Sequence, residues 1–328
     1  MEGLKILITG GTGFIGSNLV HFFHKKGHNL ATTMKAQSNP WRITDLLPDI
    51  DFFKLDITEK ERVNEVFTSF KPDIVINTIA YGGYHFETDL ARILKINFNG
   101  VVNLVESYIN SNAELLINTG SSSEYGIKYH PMSEQDVLEP LGPYAVSKAA
   151  GTLYSRSRSL ESNRKIVILR PFSAYGEYEE AHRLIPYLIY SSIEGKRAKL
   201  NNPDNVRDFI YVRDICDAYK NLIERQDKVS FGEIFNLGSG EEYRVSEIVK
   251  FIKKISGQEL NVDWQYDDER VGDKAVRWQA EMSKMVNILN WRPKYSLKEG
   301  LSSTYLWFKE NIQKYEVIEN SKLRKSSK

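Results

Sequence analysis

The stretch KILITGGTGFIG, residues 5–16, decides the fold of this chain. It begins with an apolar run of five residues, which two glycines end, and apolar residues then recur at helical spacing over residues 14–23. This order predicts a buried strand, a tight turn and an amphipathic helix. A strand that passes through glycines into a helix is the opening unit of folds that bind dinucleotides.

The glycines of this turn have the spacing that a bound pyrophosphate requires. Gly10, Gly13 and Gly16 form GxxGxxG, and Gly11, Gly13 and Gly16 also form GxGxxG. Glycine permits the tight turn, lets the backbone approach the phosphates and lets the helix pack close to the sheet. The N-terminus of the helix then stabilises the phosphate charge. The turn therefore predicts a dinucleotide cofactor.

The same rhythm of strand and helix recurs along the first half of the chain. Further short apolar runs occupy residues 29–34, 52–55, 74–78, 115–118 and 166–169, and the segments between them are long enough for helices. Strands that alternate with helices form parallel sheets, because a parallel crossover needs a dozen or more residues. We therefore expect an α/β fold with a doubly wound parallel sheet of the Rossmann type.

The alternation weakens after residue 170, which indicates a second unit. Residues 199–208 are polar and irregular, whereas the remaining patterns predict strands at 209–212 and 234–237 and helices at 184–193, 245–255 and 296–311. We expect a dinucleotide-binding unit of residues 1–172 plus about 206–237. A smaller, discontinuous substrate-binding unit comprises about 173–205 plus 238–315, and residues 316–328 form a flexible tail.

The composition argues against nucleic acid or a membrane as the partner and bears on the compartment in which the protein works. The 328 residues include 44 Lys and Arg against 43 Asp and Glu, so no net field attracts nucleic acid or an anionic membrane. Cys216 is the single cysteine, which excludes an intramolecular disulfide and favours a reducing compartment. The N-terminal apolar run is too short to cross a membrane and lacks the features of a leader. These features predict a cytoplasmic protein.

The end of the second predicted strand bears on the choice of cofactor. An acidic residue there would accept hydrogen bonds from the ribose of NAD and repel a 2′-phosphate. The chain has Met34 and Lys35 instead, and Arg42 follows, so the sequence favours NADP over NAD unless both cations are solvated loop charges. Asp56, after the third strand, would reach the adenine or cap the helix that begins near Thr58.

A catalytic group is predicted where Tyr144 and Lys148 share one helix face in PYAVSK. A nearby ammonium lowers the pKa of a phenol, which makes Tyr144 a candidate general acid and base. The spacing YxxxK is weak by itself, since Tyr305 and Lys309 repeat it. The pair at Tyr144 is stronger because a strand that ends in hydroxyl residues, LLINTGSSSEYG, precedes it.

Eight motifs together resemble one enzyme family. They are GGTGFIGS, SSSEYG, PYAVSK, LRPFSAYG, RLIP, VRDFIYV, FNLGSG and NWRPKYSLKEG, and they cover nearly the whole chain. The chain is similar to the extended short-chain dehydrogenase/reductases, the NAD(P)-dependent nucleotide-sugar epimerase/dehydratase family. The resemblance implies an NAD(P)-dependent enzyme, a nucleoside-diphosphate sugar as substrate and a homodimer formed by helices near residues 88–107 and 144–159.

The resemblance also implies three sets of site residues. The catalytic set is Ser121, Tyr144 and Lys148. The cofactor set is Gly10, Gly13, Phe14, Ile15, Gly16, Lys35, Asp56, Ile57, Ala80, Asn97, Tyr144 and Lys148. The substrate set is Ser122, Ser123, Ser173, Pro186, Arg207 and Arg270, in which the two arginines would hold the diphosphate through forked donors.

The sequence favours one reaction of the family and leaves others open. The 4,6-dehydratases have a carboxylate where this chain has Ser122 and Ser123, and Glu124 stands one place late. Because Met34 replaces the acidic residue that NAD prefers, reduction of a 4-keto group with NADPH is the first hypothesis. The segments SSSEYG, RLIPYLI and VRDFIYV also look most like reductases of 4-keto-6-deoxy sugars such as the CDP-abequose and CDP-paratose synthases. A 4-epimerase with tightly held NAD is the alternative.

Two other classes are weaker hypotheses. A regulator that keeps the glycine turn without chemistry is possible on this fold, but Ser121, Tyr144 and Lys148 are all present. His21, His24 and His28 lie on or beside the first helix without neighbouring carboxylates, which is typical of a solvated face. We therefore expect no metal site.

Overall fold

The structure is a computed structural model that describes residues 3–84, 86–266 and 277–326, with side chains as far as residue 315. The strands are β1 (Lys5–Thr9), β2 (Asn29–Met34), β3 (Asp51–Lys54), β4 (Ile74–Asn77), β5 (Leu115–Thr119), β6 (Ile166–Pro171), β7 (Ser173–Tyr175), β8 (Ala198–Leu200), β9 (Val206–Arg207), β10 (Phe209–Tyr211), β11 (Ile234–Leu237), β12 (Tyr243–Arg244) and β13 (Val262–Trp264).

The helices are α1 (Phe14–His24), α2 (Lys60–Phe70), α3 (Leu90–Leu94), α4 (Gly100–Ile109), α5 (Pro143–Ser162), α6 (Leu184–Ile193), α7 (Val212–Glu224), α8 (Val245–Ser256), α9 (Ser283–Leu289) and α10 (Leu297–Ser326). A π-helical turn, Lys95–Asn99, joins α3 to α4, and a 3₁₀ turn, Ser122–Tyr125, follows β5. The described ranges contain no helix that is both long and apolar enough to cross a membrane.

Seven parallel strands form the central sheet in the order β11-β6-β5-β4-β1-β2-β3. The inner strands β1, β4, β5 and β6 are mostly apolar and buried, as expected for a sheet that helices cover on both faces. In β1, Ile6 and Ile8 pack into a cluster on one face with α1 and α7, whereas Leu7 packs on the other face with α2 and α4. The prediction of a doubly wound Rossmann-type sheet is therefore confirmed.

The strand order places a crevice beside β1. The chain leaves β1 towards β2 on one side, whereas β4 pairs with the other side of β1. Such a reversal opens a crevice at the carboxyl ends of the strands, where α/β proteins bind their ligands. The glycine turn after β1, the loop after β4 and the serine turn after β5 all lie at this edge.

A third hydrophobic cluster lies outside the sheet, between α6, α8 and α10. Short strand pairs, β8 with β13 and β9 with β12, border it, although the sequence suggested irregular chain at 199–208. Met285, Leu289 and Trp291 pack on the central sheet, although they fall in the range expected for the second unit. Helix α10 runs to Ser326 and so includes most of the expected tail.

Candidate active site at the carboxyl edge of the sheet

The glycine turn forms a cradle that side chains would fill. Gly10 has a φ of +80°, and the N–H of Gly13 donates to the carbonyl of Gly10 at 2.9 Å. A Cβ on Gly16 would lie 2.2 Å from that carbonyl oxygen, and one on Gly11 would lie 2.0 Å from Oγ1 of Thr32. Among the described residues, no side chain caps the N-terminus of α1. These features fit the phosphates of a dinucleotide.

The two residues that follow Gly13 serve packing as well. Ile15 packs against the cluster under the sheet, and Phe14 packs against the third cluster. The side-chain amide of Asn18 donates to the carbonyl oxygens of Phe14 and Glu177, at 2.9 Å and 2.8 Å. The glycine turn is thus anchored to the loop that follows β7.

Lys35 and Asp56, both predicted at the cofactor, form an ion pair. Lys35 Nζ lies 3.2 Å from Asp56 Oδ2, and Asp56 Oδ1 accepts from the N–H and hydroxyl of Thr58 at 3.0 Å and 2.8 Å. Burial acts to raise the pKa of Asp56, but the hydrogen bonds from Thr58 and Lys35 hold it below its usual value. Ile57 is buried against Gly100. The positive charge of Lys35 is therefore accompanied by the carboxylate of Asp56.

Arg42 is neither a solvated loop charge nor a free cation. It is 8% exposed, and its guanidinium lies 2.9 Å from the carboxylate of Glu180. It also donates to the carbonyls of Tyr178, at 2.7 Å, and Thr12, at 3.2 Å. Arg42 thus ties the glycine turn to the loop between β7 and α6, which the sequence did not reveal.

The predicted cofactor residues Ala80 and Asn97 meet at the loop after β4. Ala80 is exposed. Asn97 is buried, and its amide forms hydrogen bonds with the N–H and carbonyl of Tyr81 at 2.8 Å and 2.7 Å. It also donates to the hydroxyl of Ser147 at 2.9 Å. Asn97 therefore holds the loop against α5.

The predicted catalytic residues are together. Tyr144 is the second residue of α5, and Ser121 lies near enough to act on the pKa of its phenol. Burial raises the pKa of Tyr144, while Ser121 and the charge of Arg183 act in the opposite direction. Lys148 Nζ donates to the carbonyl of Thr119, and burial lowers the pKa of Lys148 to about 8. The sequence predicts that Lys148 lowers the pKa of Tyr144, but this pKa is raised, because burial outweighs the opposing effects of Ser121 and Arg183.

A buried ion pair positions Ser121. Arg170 Nε in β6 donates to Glu124 Oε2 at 2.8 Å, and these side chains are 1% and 0% exposed. The other oxygen of Glu124 accepts from the N–H of Ser121 at 2.8 Å and from the hydroxyl of Thr152 at 3.0 Å. Ser121 in turn accepts from the N–H of Ser123, which completes a capping box. The sequence signal for this was S-x-x-E.

This arrangement directs the Glu124 carboxylate into the protein interior. Arg170 also donates to the hydroxyl of Tyr125 at 2.9 Å, and that hydroxyl donates to Asn236 at 2.6 Å. Burial raises the pKa of Glu124, and the charges of Arg170 and Lys148 act to lower it. The carboxylate is occupied by these partners and is not presented beside Tyr144.

A cleft of about 850 Å³ lies beside Tyr144. Gly83 lines it, and a Cβ on Gly83 would lie 3.7 Å from the ring of Tyr144. Of the predicted substrate residues, Ser173 and Arg207 line this cleft. Sequence reasoning missed Tyr84, Glu179 and Arg183, which line it as well.

The other predicted substrate residues have different surroundings. Ser122 is buried and accepts from Nε1 of Trp278 at 3.2 Å. Ser123 belongs to the 3₁₀ turn, and Pro186 is buried in α6 between Ile185 and Tyr187, which do line the cleft. None of the three is among the residues found to line the cleft in the described part of the chain. Arg270 lies outside the described residues.

Comparison with known proteins identifies the family. The family model described as "NAD dependent epimerase/dehydratase family" matches residues 6–238. The chain belongs to this family. It is 28% identical to the UDP-glucuronate 4-epimerase of Thermodesulfobacterium geofontis, over 94% of this chain and 97% of that protein. It is 26% identical to the UDP-glucose 4-epimerase of Lactobacillus helveticus, over 95% and 99%.

A solved structure supports the same membership. The dTDP-glucose 4,6-dehydratase of Bacillus anthracis, in complex with NAD, is similar with a TM-score of 0.84 and 25% identity, over 95% of this chain and 98% of that one. Epimerases and dehydratases are thus related to this family member at nearly equal identity. The similarity establishes an enzyme family that uses NAD and leaves the reaction to be decided by site residues.

We predict that Arg170→Met destabilises the protein by about 3–5 kcal/mol, because it leaves the buried Glu124 carboxylate without its cation. The double variant with Glu124→Gln should lose less free energy of unfolding than the sum of the losses in the two single variants. Denaturant unfolding measures these free energies. Arg158→Met is the control, because Arg158 pairs with Glu106 at 2.7 Å in a partly exposed position and its loss should cost about 1 kcal/mol or less. Equal losses for both arginines would contradict the prediction.

Proposed function

We propose that the protein is an NAD(P)-dependent oxidoreductase that reduces a 4-keto group of a nucleoside-diphosphate sugar. The observation that carries the proposal is the position of Tyr144 beside the cleft, with Ser121 near its phenol and Lys148 one helical turn away. The phenol lies where a ligand in the cleft meets the edge of the sheet that carries the glycine turn. This is the place at which a sugar and a nicotinamide would meet.

The residues of the chain divide the work of this reaction. A nicotinamide dinucleotide supplies the hydride when it is bound at the glycine turn, whose uncapped helix and absent Cβ atoms fit its phosphates. Tyr144 donates the proton to the oxygen of the carbonyl. Ser121 positions that oxygen and the phenol by hydrogen bonding. Lys148, one helical turn further, supplies positive charge, and it remains protonated below its pKa of about 8.

Tyr144→Phe should reduce the turnover number by at least about 100-fold, because the variant lacks the proton that the oxygen must receive. Cofactor affinity should stay nearly unchanged, since the ring and the helix remain. Steady-state kinetics and a dinucleotide titration measure the two quantities. Tyr305→Phe is the matched control, because Tyr305 has a lysine at the same spacing but lies in the third hydrophobic cluster. Full activity of Tyr144→Phe would overturn the proposed acid.

The reductase hypothesis includes NADP(H) as the preferred cofactor, since Met34 ends β2 in place of a carboxylate. A second candidate, 4-epimerisation with bound NAD, is favoured by a specific observation. Lys35 is paired with Asp56, and Arg42 with Glu180, so a carboxylate accompanies each cation that a 2′-phosphate would use. The NAD complex of the related dehydratase and the two related epimerases support the same alternative.

Two variants at the ion pair discriminate between these cofactors. If NADPH is preferred, Lys35→Ala should lower the affinity for NADPH about tenfold more than the affinity for NADH, because a charge-assisted contact to the 2′-phosphate is lost. Asp56→Asn should raise the affinity for NADPH relative to that for NADH, because it removes a negative charge that repels the 2′-phosphate. Fluorescence titration with both dinucleotides measures these ratios. Equal changes for both dinucleotides, or stoichiometric NAD in the purified protein, would favour the epimerase.

We also propose that the protein is a homodimer through α3 and α5. Val146, Leu153 and Leu160 recur every seven residues on α5 and are 45%, 55% and 54% exposed. Leu90 and Leu94 of the adjoining α3 are 57% and 47% exposed. A stripe of this kind is typical of a helix pair that packs against its copy.

Leu153→Glu should convert this dimer to a monomer, because two carboxylates would be buried at the interface. Sedimentation velocity measures the mass of the variant and the parent. Leu306→Glu serves as the control, since Leu306 is 58% exposed on α10, away from the stripe. A monomeric parent protein, or a dimer that survives Leu153→Glu, would exclude this interface.

A further inference from the structure

Glu179 is a buried carboxyl on the wall of the cleft whose role in the protein is unexplained. It lies in the loop between β7 and α6, is 4% exposed and lines the cleft. Its Oε2 atom has no hydrogen-bond partner among the residues that the structure describes. Burial of a polar atom without a partner costs free energy of folding, so such atoms mark places where a ligand completes the hydrogen bonding.

The neighbouring carboxyls in the same loop have structural partners. Glu180 pairs with Arg42 at 2.9 Å. Glu177 accepts from the hydroxyl of Tyr211 at 2.6 Å and pairs with Arg213 at 2.7 Å. One oxygen of Glu177 is also buried without a partner, but Glu177 is not among the described residues that line the cleft. Glu179 therefore differs from Glu177 in that it lines the cleft.

The charge of Arg183 acts on both Glu179 and Tyr144. The Nε atom of Arg183 lies 3.6 Å from Oε1 of Glu179. The charge of the same guanidinium also acts to lower the pKa of the Tyr144 phenol. Arg207 and Val245 line the cleft as well, but Arg207 belongs to β9 and Val245 begins α8, outside the loop that carries Glu179. Glu179 and Tyr144 therefore both lie within range of the positive charge of Arg183.

The protonation state of Glu179 suits a neutral hydroxyl-bearing ligand. Burial raises the pKa of Glu179 to about 8, although the charge of Arg183 acts to lower it. Below that pH the carboxyl is mainly protonated and carries both a donor and an acceptor. A protonated carboxyl does not repel a nearby diphosphate, and it matches a sugar hydroxyl, which also donates and accepts.

We propose that Glu179 is a substrate-binding residue whose carboxyl forms a hydrogen bond with a hydroxyl of the bound sugar ring. The inference rests on the proposed function and assigns one contact within it. The nucleotide portion of the substrate makes no use of this contact. Loss of the carboxyl should therefore weaken a nucleotide sugar and leave the corresponding nucleoside diphosphate unaffected.

Calorimetry on the protein loaded with dinucleotide tests this contact. UDP-, dTDP-, GDP- and CDP-glucose are titrated into the parent protein, followed by the nucleoside diphosphate of whichever sugar binds. Glu179→Met keeps the volume of the side chain but forms no such hydrogen bond. It should lower the affinity for the nucleotide sugar about tenfold and the affinity for the nucleoside diphosphate less than about twofold. Glu179→Gln, which keeps a donor and an acceptor, should recover most of the affinity.

Each outcome separates the inference from the proposed function. Equal weakening of both ligands by Glu179→Met, or no weakening of either, overturns the role of Glu179 while the proposed function stands. If the parent binds none of the four nucleotide sugars, the proposed function fails and the inference fails with it. Glu177→Gln is the matched control, which should lower the melting temperature without changing either affinity. If Glu179→Met does not fold, Glu179→Gln decides, since equal weakening of both ligands by that variant also overturns the contact.

Discussion

The buried ion pair between Arg170 and Glu124 is the constraint on which the candidate active site depends. It joins the end of β6 to the turn after β5, and the carboxylate holds the N–H of Ser121. A charged pair in the interior is stable only when its hydrogen bonds are complete, which here requires Thr152 of α5 as well. The position of the serine relative to Tyr144 is therefore set by a network that spans two strands and a helix.

The same network also sets the direction of the Glu124 carboxylate. A carboxyl beside the reacting sugar serves the elimination of water, but Glu124 is directed away from the cleft and neutralises Arg170. Two hydroxyls, those of Ser121 and Tyr144, lie beside the cleft with the ammonium of Lys148 nearby, and the carboxyl that lines the cleft is that of Glu179. Such a set moves a proton to or from one oxygen.

The charged residues around the cofactor site show how tertiary contacts limit arguments from composition. Lys35 and Arg42 are positive charges near the end of β2 and indicate a 2′-phosphate by their type alone. In the folded protein, Lys35 meets Asp56, and Arg42 meets Glu180 and the carbonyl of Thr12. Arg42 consequently links the glycine turn to the loop that carries Glu179, so the glycine turn and the wall of the cleft share one support.

The sequence by itself determined the parts of this protein that rest on short-range patterns. The glycine turn, the strands of the sheet, the capping signal at Ser121 and the spacing of Tyr144 and Lys148 are all local, because backbone geometry and helical periodicity act over a few residues. Only the tertiary structure decided which charges meet, since Arg42 and Glu180 are 138 positions apart. It also decided that burial outweighs the nearby cations at Tyr144 and that Glu179 lines the cleft, because shielding from water depends on the packing of distant segments.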